Sequence, residues 1–339
     1  MTIQGLTNKI FQNKTVLKSL ARISDHGTSF SAGTSLVLSS TIRPLSIFST
    51  PDTEKENKQY AAANSICSGI IKFGIVESIA LPIENAVKNI DKNPEKFLNP
   101  QTIKNLKTTG EELAKSQSYN LLTQLFKLGV GFFTAIPKSM LTLALIPILM
   151  DKLFFKKKSV QNPPEQVQNM DKFLPKNNKN LNFTGLIQDT ISTGLGHIIN
   201  LKFLQNFAKK YQDKDKDIAK HITAVTDILL TTSFAIQTNK SKKIKENRKK
   251  ALIYNNVIST AITLSMGYGI DNYIKKKSEK FIERFKQLNA NDPKLSKYVE
   301  GIHILRPALI FAGIYYGILP LFSTFMAEKI DKFVEKHSK

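Results

Sequence analysis

The sequence predicts an all-α protein: a bundle of about six helices with interior prolines, two to four of them crossing a membrane. Three observations predict it. Long apolar stretches alternate with short Lys-rich runs, and those stretches exceed the length of strands. No period-two alternation of apolar and polar residues occurs, and Leu, Ala, Ile and Lys dominate, which favours helix. Finally, Pro307 to Ala327 carries no charge over 21 residues and is bracketed by Arg306 and Glu328. A helix needs about 20 such residues to cross the hydrocarbon of a bilayer.

Residues 1–57 read as a basic amphipathic segment followed by a Ser/Thr-rich linker over 25–57. On a helix, Ile3, Leu6, Ile10, Leu17 and Leu20 share one face and Lys14, Lys18 and Arg22 the opposite one. Such a face suits a lipid interface or an organellar targeting segment, and also an ordinary surface helix. No continuous apolar run marks a secretory signal. A first helical unit follows over 58–160. Its first apolar segment, 61–87, is interrupted by Lys72, Glu77 and Glu84 and is expected to insert poorly alone. Its second, 119–154, carries only Lys138 between Leu128 and Met150. Residues 161–182, with Pro163, Pro164 and Pro175 among several Asn, read as an exposed linker.

The second unit, 183–339, holds four more segments. The third (183–207) contains Asp189 and His197, and the fourth (217–237) contains Lys220, His221 and Asp227. The fifth, Ala251 to Ile270, is uncharged but rich in Asn, Ser and Thr. The sixth is the 307–327 stretch, with Pro307 expected in its first turn, where the missing N–H is harmless. Pro137, Pro147 and Pro320 are interior and should kink or break the second and sixth helices.

An internal repeat is visible between Ser78–Lys88 and Ser265–Lys275, which align without gaps and place Glu84 opposite Asp271. Gly194–Asn200 is a fainter copy, and Arg43–Phe48 resembles Arg306–Phe311. Repeats of this kind raise the expectation of a transporter. Pro82-Ile83-Glu84 superficially resembles the proline-plus-acid element of mitochondrial carriers. The basic residue arrives one position late at Lys88, Ile198 and Gly269 replace the proline in the other copies, and the paired glycines are missing, so that likeness is rejected. Across 228–333, Arg248-Lys249-Lys250-Ala251-Leu252, Gly267-Tyr268-Gly269-Ile270-Asp271, Arg306-Pro307 and Leu319-Pro320 give a texture that resembles uncharacterised multi-helix membrane proteins of low-GC gut bacteria. The resemblance implies architecture and no chemistry.

Composition narrows the function. There are 49 Lys and Arg against 27 Asp and Glu, a net charge of +22. Anionic lipid headgroups are the expected partners, through Lys-rich helix ends. Nucleic acid is the weakest reading, because basic residues sit at the ends of apolar segments and are not interleaved with aromatics on one surface. Cys67 is the only cysteine, which excludes an intrachain disulfide and a Cys-based zinc site. Trp is absent, and Tyr254, Tyr268, Tyr273, Tyr298, Tyr315 and Tyr316 are left to mark the membrane interfaces. The five His are scattered, without an HExxH pair. No Walker loop, dinucleotide fingerprint or GxSxG elbow occurs. Asp213, Asp215 and Asp217 imitate a calcium loop, but Ile218 and Ala224 stand where glycine and the bidentate acid are required. No catalytic, cofactor or metal residues are therefore assigned.

What remains are ionisable residues within or at the ends of apolar helices: Glu77, Glu84, Lys138, Asp189, Asp227, Asp271 and Arg306. In a membrane each should face a partner or a polar cavity. Sequential helices usually pack together, so Glu84–Lys138 and Asp271–Arg306 are the expected pairs. The sequence thus supports a helical membrane protein with a structural or interaction role. The alternatives are a small-solute or ion transporter and a basic soluble nucleic-acid binder. Basic residues in nearly every loop leave the orientation open.

Overall fold

Runs of Leu, Ala, Ile and Lys with few breakers should make long helices, and among the described residues every element is helical with no strand. The structure is a computed structural model and describes residues 3–50, 55–107, 113–154, 183–212, 215–240 and 246–321. The 161–182 linker, Lys156–Lys158, Asp213, residues 322–327 of the sixth segment and His337 lie outside the described residues.

Four short helices open the chain: α1 (Ile3–Phe11), α2 (Lys14–Asp25), α3 (Gly27–Ser40) and α4 (Ile42–Phe48). α5 (Lys55–Lys92) is a rod of 38 residues, about 57 Å long at about 1.5 Å per residue. The turns α6 (Pro94–Phe97) and α7 (Pro100–Leu106) follow, each with its proline at the first helical position. Then come α8 (Gln117–Phe133), α9 (Ala135–Phe154), α10 (Phe183–Ile199), α11 (Lys202–Tyr211), α12 (Asp215–Lys240), α13 (Glu246–Leu288) and α14 (Leu295–Gly313). A π-helical stretch, Ile314–Ile318, carries α14 on to Leu321.

The prolines act in different ways. The second apolar segment is broken at Thr134, and Pro137 sits in the first turn of α9. Pro147, expected to kink or break its helix, does not end α9, which runs on to Phe154. Ahead of Pro320 the helix widens into the π stretch, a common response to a missing N–H. Pro307 is not at a helix start as expected. α14 begins twelve residues earlier, at Leu295, and Pro307 is interior.

The N-terminal segment is also different from expectation. Residues 27–48, read as linker, are the helices α3 and α4, and both pack on α5. Ser and Thr disguise them, because their hydroxyls bond back to the helix itself, as Ser31 does to the Gly27 carbonyl and Thr41 to that of Val37. Of the apolar face of 1–24, Leu17 and Leu20 meet protein, whereas Ile10 is exposed. Leu20 is buried with Phe285 and Tyr298, and Phe11 stands edge-on to Phe285 at 5.5 Å. Asn13 caps α2 by accepting from the Thr15 and Val16 amides.

Long-range contacts fix the register. Ser118 meets Gln212, and Ser139 meets Ser233, so α12 runs parallel to α8 and α9. Lys220 meets Asp271 and Thr231 meets Thr260, so α13 returns antiparallel to α12. Asp271 meets Arg306, so α14 turns back again. Helices from either side of 161–182 pack on one another, α10 on α5 and α12 on α8 and α9. Close approach needs glycine at some of these crossings. A Cβ on Gly301 would lie 2.9 Å from the Leu20 carbonyl carbon, which is backbone and has nowhere to go.

Among the described residues, three helical stretches are long and apolar enough to cross a membrane: Lys58–Lys92, Gln117–Met150 and Leu295–Leu321. Only 17%, 25% and 39% of their most apolar windows are buried inside the protein. The first of them was expected to insert poorly, but its charges gather toward its C-terminal end and leave Gln59–Ile71 uncharged. The fifth segment, in α13, is not among the three; Asn255, Asn256, Ser259, Thr260 and Thr263 dilute it.

Candidate functional site: a polar cavity among apolar helices

The antiparallel register sorts charge along the bundle. The C-terminal end of α5 meets the N-terminal ends of α8 and α14, through Asp91 with Tyr119 and Lys297, and the start of α12 meets the middle of α13, through Lys220 and Asp271. There the buried charges are paired. Glu84, fully buried, accepts from the Thr28 and Ser29 amides at 2.8 and 3.0 Å and from the Ser29 hydroxyl at 2.7 Å, with His26 Nδ1 at 3.1 Å. Its carboxylate therefore closes the exposed N–H groups of the first turn of α3, where the helix dipole favours a negative charge. Lys127 reaches the Ser24 carbonyl at 3.1 Å and Glu300 at 3.6 Å.

Asp271, also fully buried, is gripped from two helices. Arg306 Nε lies 2.6 Å away and Lys220 Nζ 3.0 Å away. Asp217 joins them, with Lys275 at 2.6 Å, Lys220 at 3.5 Å and Arg306 at 3.6 Å. Burial pushes the Asp217 carboxyl up, but the hydrogen bond from Lys275 and the charges of Lys220, Lys275 and Arg306 outweigh it and hold it below the usual range.

Further along, between α3, the middle of α5, the end of α8, the start of α9, the body of α12, the first half of α13 and the end of α14 with its π-helical extension, lies a cavity of about 370 Å³. Three ionisable side chains line it: Lys72 from α5, Lys138 from α9 and Asp227 from α12. Among the described residues none of the three forms an ion pair within 4 Å or a side-chain hydrogen bond. Lys138 is only 8% exposed. Hydroxyls and an amide share the wall, among them Thr142, Thr226, Asn256 and Thr263, facing apolar surface from Phe73, Phe234 and Phe311. The outer faces of the same helices are oily. Ile70, Phe133, Ile136, Met140, Ile228 and Leu309 are all exposed, an extent of apolar surface that marks a membrane or a partner.

The seven residues singled out from sequence thus fall into five places. Lys138 and Asp227 share the cavity, and Asp271 and Arg306 form the expected pair. Glu84 does not meet Lys138; the N-terminus of α3 takes it instead, because the expected linker is a helix packed on α5. Asp189 lies on α10 at the outside, bonded to Lys96 at 2.8 Å and Asn89 at 3.1 Å. The Lys96 hydrogen bond holds its carboxyl below the usual range. Glu77, in the middle of α5, is half-buried, and its Oε2 is buried without a hydrogen-bond partner among the described residues.

Lys72 and Lys220 were not among the residues singled out from sequence, although each is a lone Lys within an apolar stretch, the signal by which they could have been found. Lys127–Glu300 and His26–Glu84 are long-range meetings that no local pattern announces. Among the described residues no group of three His, Cys, Asp or Glu side chains is placed to hold a metal ion. Comparison with protein families, with curated proteins and with solved structures finds no match to this chain.

Proposed function

We propose that this chain is an integral membrane protein that takes a small solute into the cavity between its helices and moves it across the bilayer. The observation that carries the reading is the unpaired set Lys72, Lys138 and Asp227 on one cavity wall. Buried charge is strongly unfavourable unless paired or used. A purely structural role accounts for Asp271–Arg306 and Glu84, which have charged or hydrogen-bonding partners within reach, but gives Lys138 nothing to do. Solute sites of carriers sit near mid-membrane between helical bundles. Tyr315, on the cavity wall, lies in the π-helical stretch after α14, near the middle of the uncharged run 307–327. The volume falls in the range of about 300–1,000 Å³ usual for small-molecule sites. Lys-rich helix ends are proposed to rest on anionic headgroups, as Lys55, Lys58, Lys92 and Lys275–Lys277 occupy the ends of α5 and the polar end of α13.

Membrane fractionation and proteoliposome uptake test the reading together. The protein should stay with the membrane through alkaline carbonate extraction. Reconstituted vesicles should accumulate solute in a way that Lys138→Ala and Asp227→Ala abolish and Asp189→Ala leaves alone. A carbonate-soluble protein, or uptake equal in all three variants, contradicts it.

A further inference from the structure

The lining of the cavity has a definite electrostatic sign. Its charged residues are Lys72, Lys138 and Asp227, two positive against one negative, which leaves a single uncompensated positive charge. Lys138 is 8% exposed, stands in the first turn of α9, and has no ion pair within 4 Å and no hydrogen-bond acceptor among the described residues, although the Asp227 carboxylate attracts it across the cavity. Its carbonyl-side neighbours are already used: the hydroxyl of Thr134 bonds the Val130 and Gly131 carbonyls, and Ser139 is bonded to Ser233 and Gln237. Three further donors stand idle. The hydroxyls of Thr142, Thr226 and Thr263 are buried without a hydrogen-bond partner among the described residues, and Thr263 is only 2% exposed. By contrast, the neighbouring pair Thr231–Thr260 satisfies itself at 2.6 Å. Unused donors around an unpaired cation call for an acceptor with negative charge.

The rest of the wall limits what carries that charge. Phe73, Ile222, Leu230, Phe234 and Phe311 contribute apolar surface, which suits a hydrocarbon body and not a bare ion. The net charge limits the valence. A monoanion neutralises the lining, whereas a phosphate monoester with a charge of about −1.5 to −2 overshoots it. We propose that the cavity binds a small organic monocarboxylate, with its carboxylate on Lys138 and Lys72 and its apolar body against the phenylalanines. This rests on the reading of the cavity as a solute site and adds the class of solute. Asp227 sets the lining's charge to a single positive unit and so selects one negative charge in the ligand.

The test is calorimetric titration of the purified full-length protein in detergent micelles. Benzoate, hexanoate, benzyl alcohol, benzylamine and phenyl phosphate are the probes. Benzoate and hexanoate should bind, and benzoate at least tenfold more tightly than benzyl alcohol or phenyl phosphate. Lys138→Met should weaken benzoate about tenfold or more, and Asp227→Asn should tighten it. Lys138→Met removes an unpaired buried charge and should fold, as a monodisperse elution profile would verify. Thr263→Val, weakening benzoate a few-fold, is the independent second variant. Benzoate binding no tighter than benzyl alcohol, or unchanged in Lys138→Met, overturns the proposal. Benzylamine binding with benzoate excluded overturns the anion assignment and leaves the cavity as a solute site. No binding of any probe, joined to no uptake by proteoliposomes, overturns the solute-site reading as well.

Discussion

Asp271→Asn takes one negative charge from a place where two buried cations converge. Arg306 and Lys220 are 8% and 4% exposed at the side chain, and Asp271 is at 0%. Before the change, Asp271 and Asp217 balance Arg306 and Lys220, with Lys275 partly solvated at the rim. Afterwards two buried cations face each other with only Asp217 between them. Removing one partner of a buried ion pair costs about 3–5 kcal/mol, mostly through the charge left unpaired. Arg306→Gln should cost less, because Lys220 still holds Asp271 at 3.0 Å and the net charge falls. The expected order is therefore Asp271→Asn well above Arg306→Gln. The double variant should be milder than the sum, with a coupling of about 0.5–3 kcal/mol. Equilibrium unfolding in mixed micelles, with helicity as the probe, measures all three. An Asp271→Asn protein as stable as the parent, or Arg306→Gln more damaging than Asp271→Asn, refutes the reasoning.

Three further outcomes follow from other parts of the structure. Gly301→Ala should destabilise by about 1–3 kcal/mol through overpacking, since its Cβ would press on the Leu20 backbone, whereas Gly313→Ala meets nothing within 4 Å and should be neutral or slightly stabilising in the same unfolding assay. The depressed Asp217 pKa gives a defined pH dependence: the group contributes stability above its unfolded value, ordinarily 3.8, and that contribution is lost as pH falls through the lower folded value. Midpoints measured from pH 7 to pH 3 should fall on the acid side, and Asp217→Asn should flatten that limb; an unchanged slope in the variant counts against the Asp217 network. Glu84→Gln should cost about 1–3 kcal/mol, because an amide cannot accept from the Thr28 and Ser29 amides and the Ser29 hydroxyl as a carboxylate does, and proteolysis between α2 and α3 should accelerate if the cap matters.

Much of the fold was legible along the chain, because helix propensity and apolar run length are local properties. α5, α8 with α9, α12 and α13 fall where the apolar segments place them, and Pro137 stands just inside the break of the second segment. Errors arose where local chemistry is ambiguous. Ser and Thr in α3 suggested a linker, since nothing local reveals that their hydroxyls return to their own helix and that Gly69 and Ser65 of α5 wait opposite Ser39. Pro307 looked like a helix start because charge ends at Arg306. Its position within α14 depends on the Leu295–Arg306 half being packed on α2, a contact 275 or so residues away in sequence, as between Ser24 and Glu300.

By itself, the sequence determined that the chain is helical, strongly basic, and supplied with ionisable groups inside apolar stretches. Those are consequences of composition and spacing, and they hold for any packing. Which of those groups would be neutralised was decided only by the tertiary structure. Glu84, Asp271 and Arg306 found partners because α3, α12 and α14 bring donors and acceptors within hydrogen-bond reach. Lys138 and Asp227 line a cavity because helices from seven parts of the chain, α3, α5, α8, α9, α12, α13 and α14, meet around it without filling it. The difference is physical: a charge's fate depends on what lies within a few ångströms in three dimensions, and register between helices distant in sequence sets that neighbourhood.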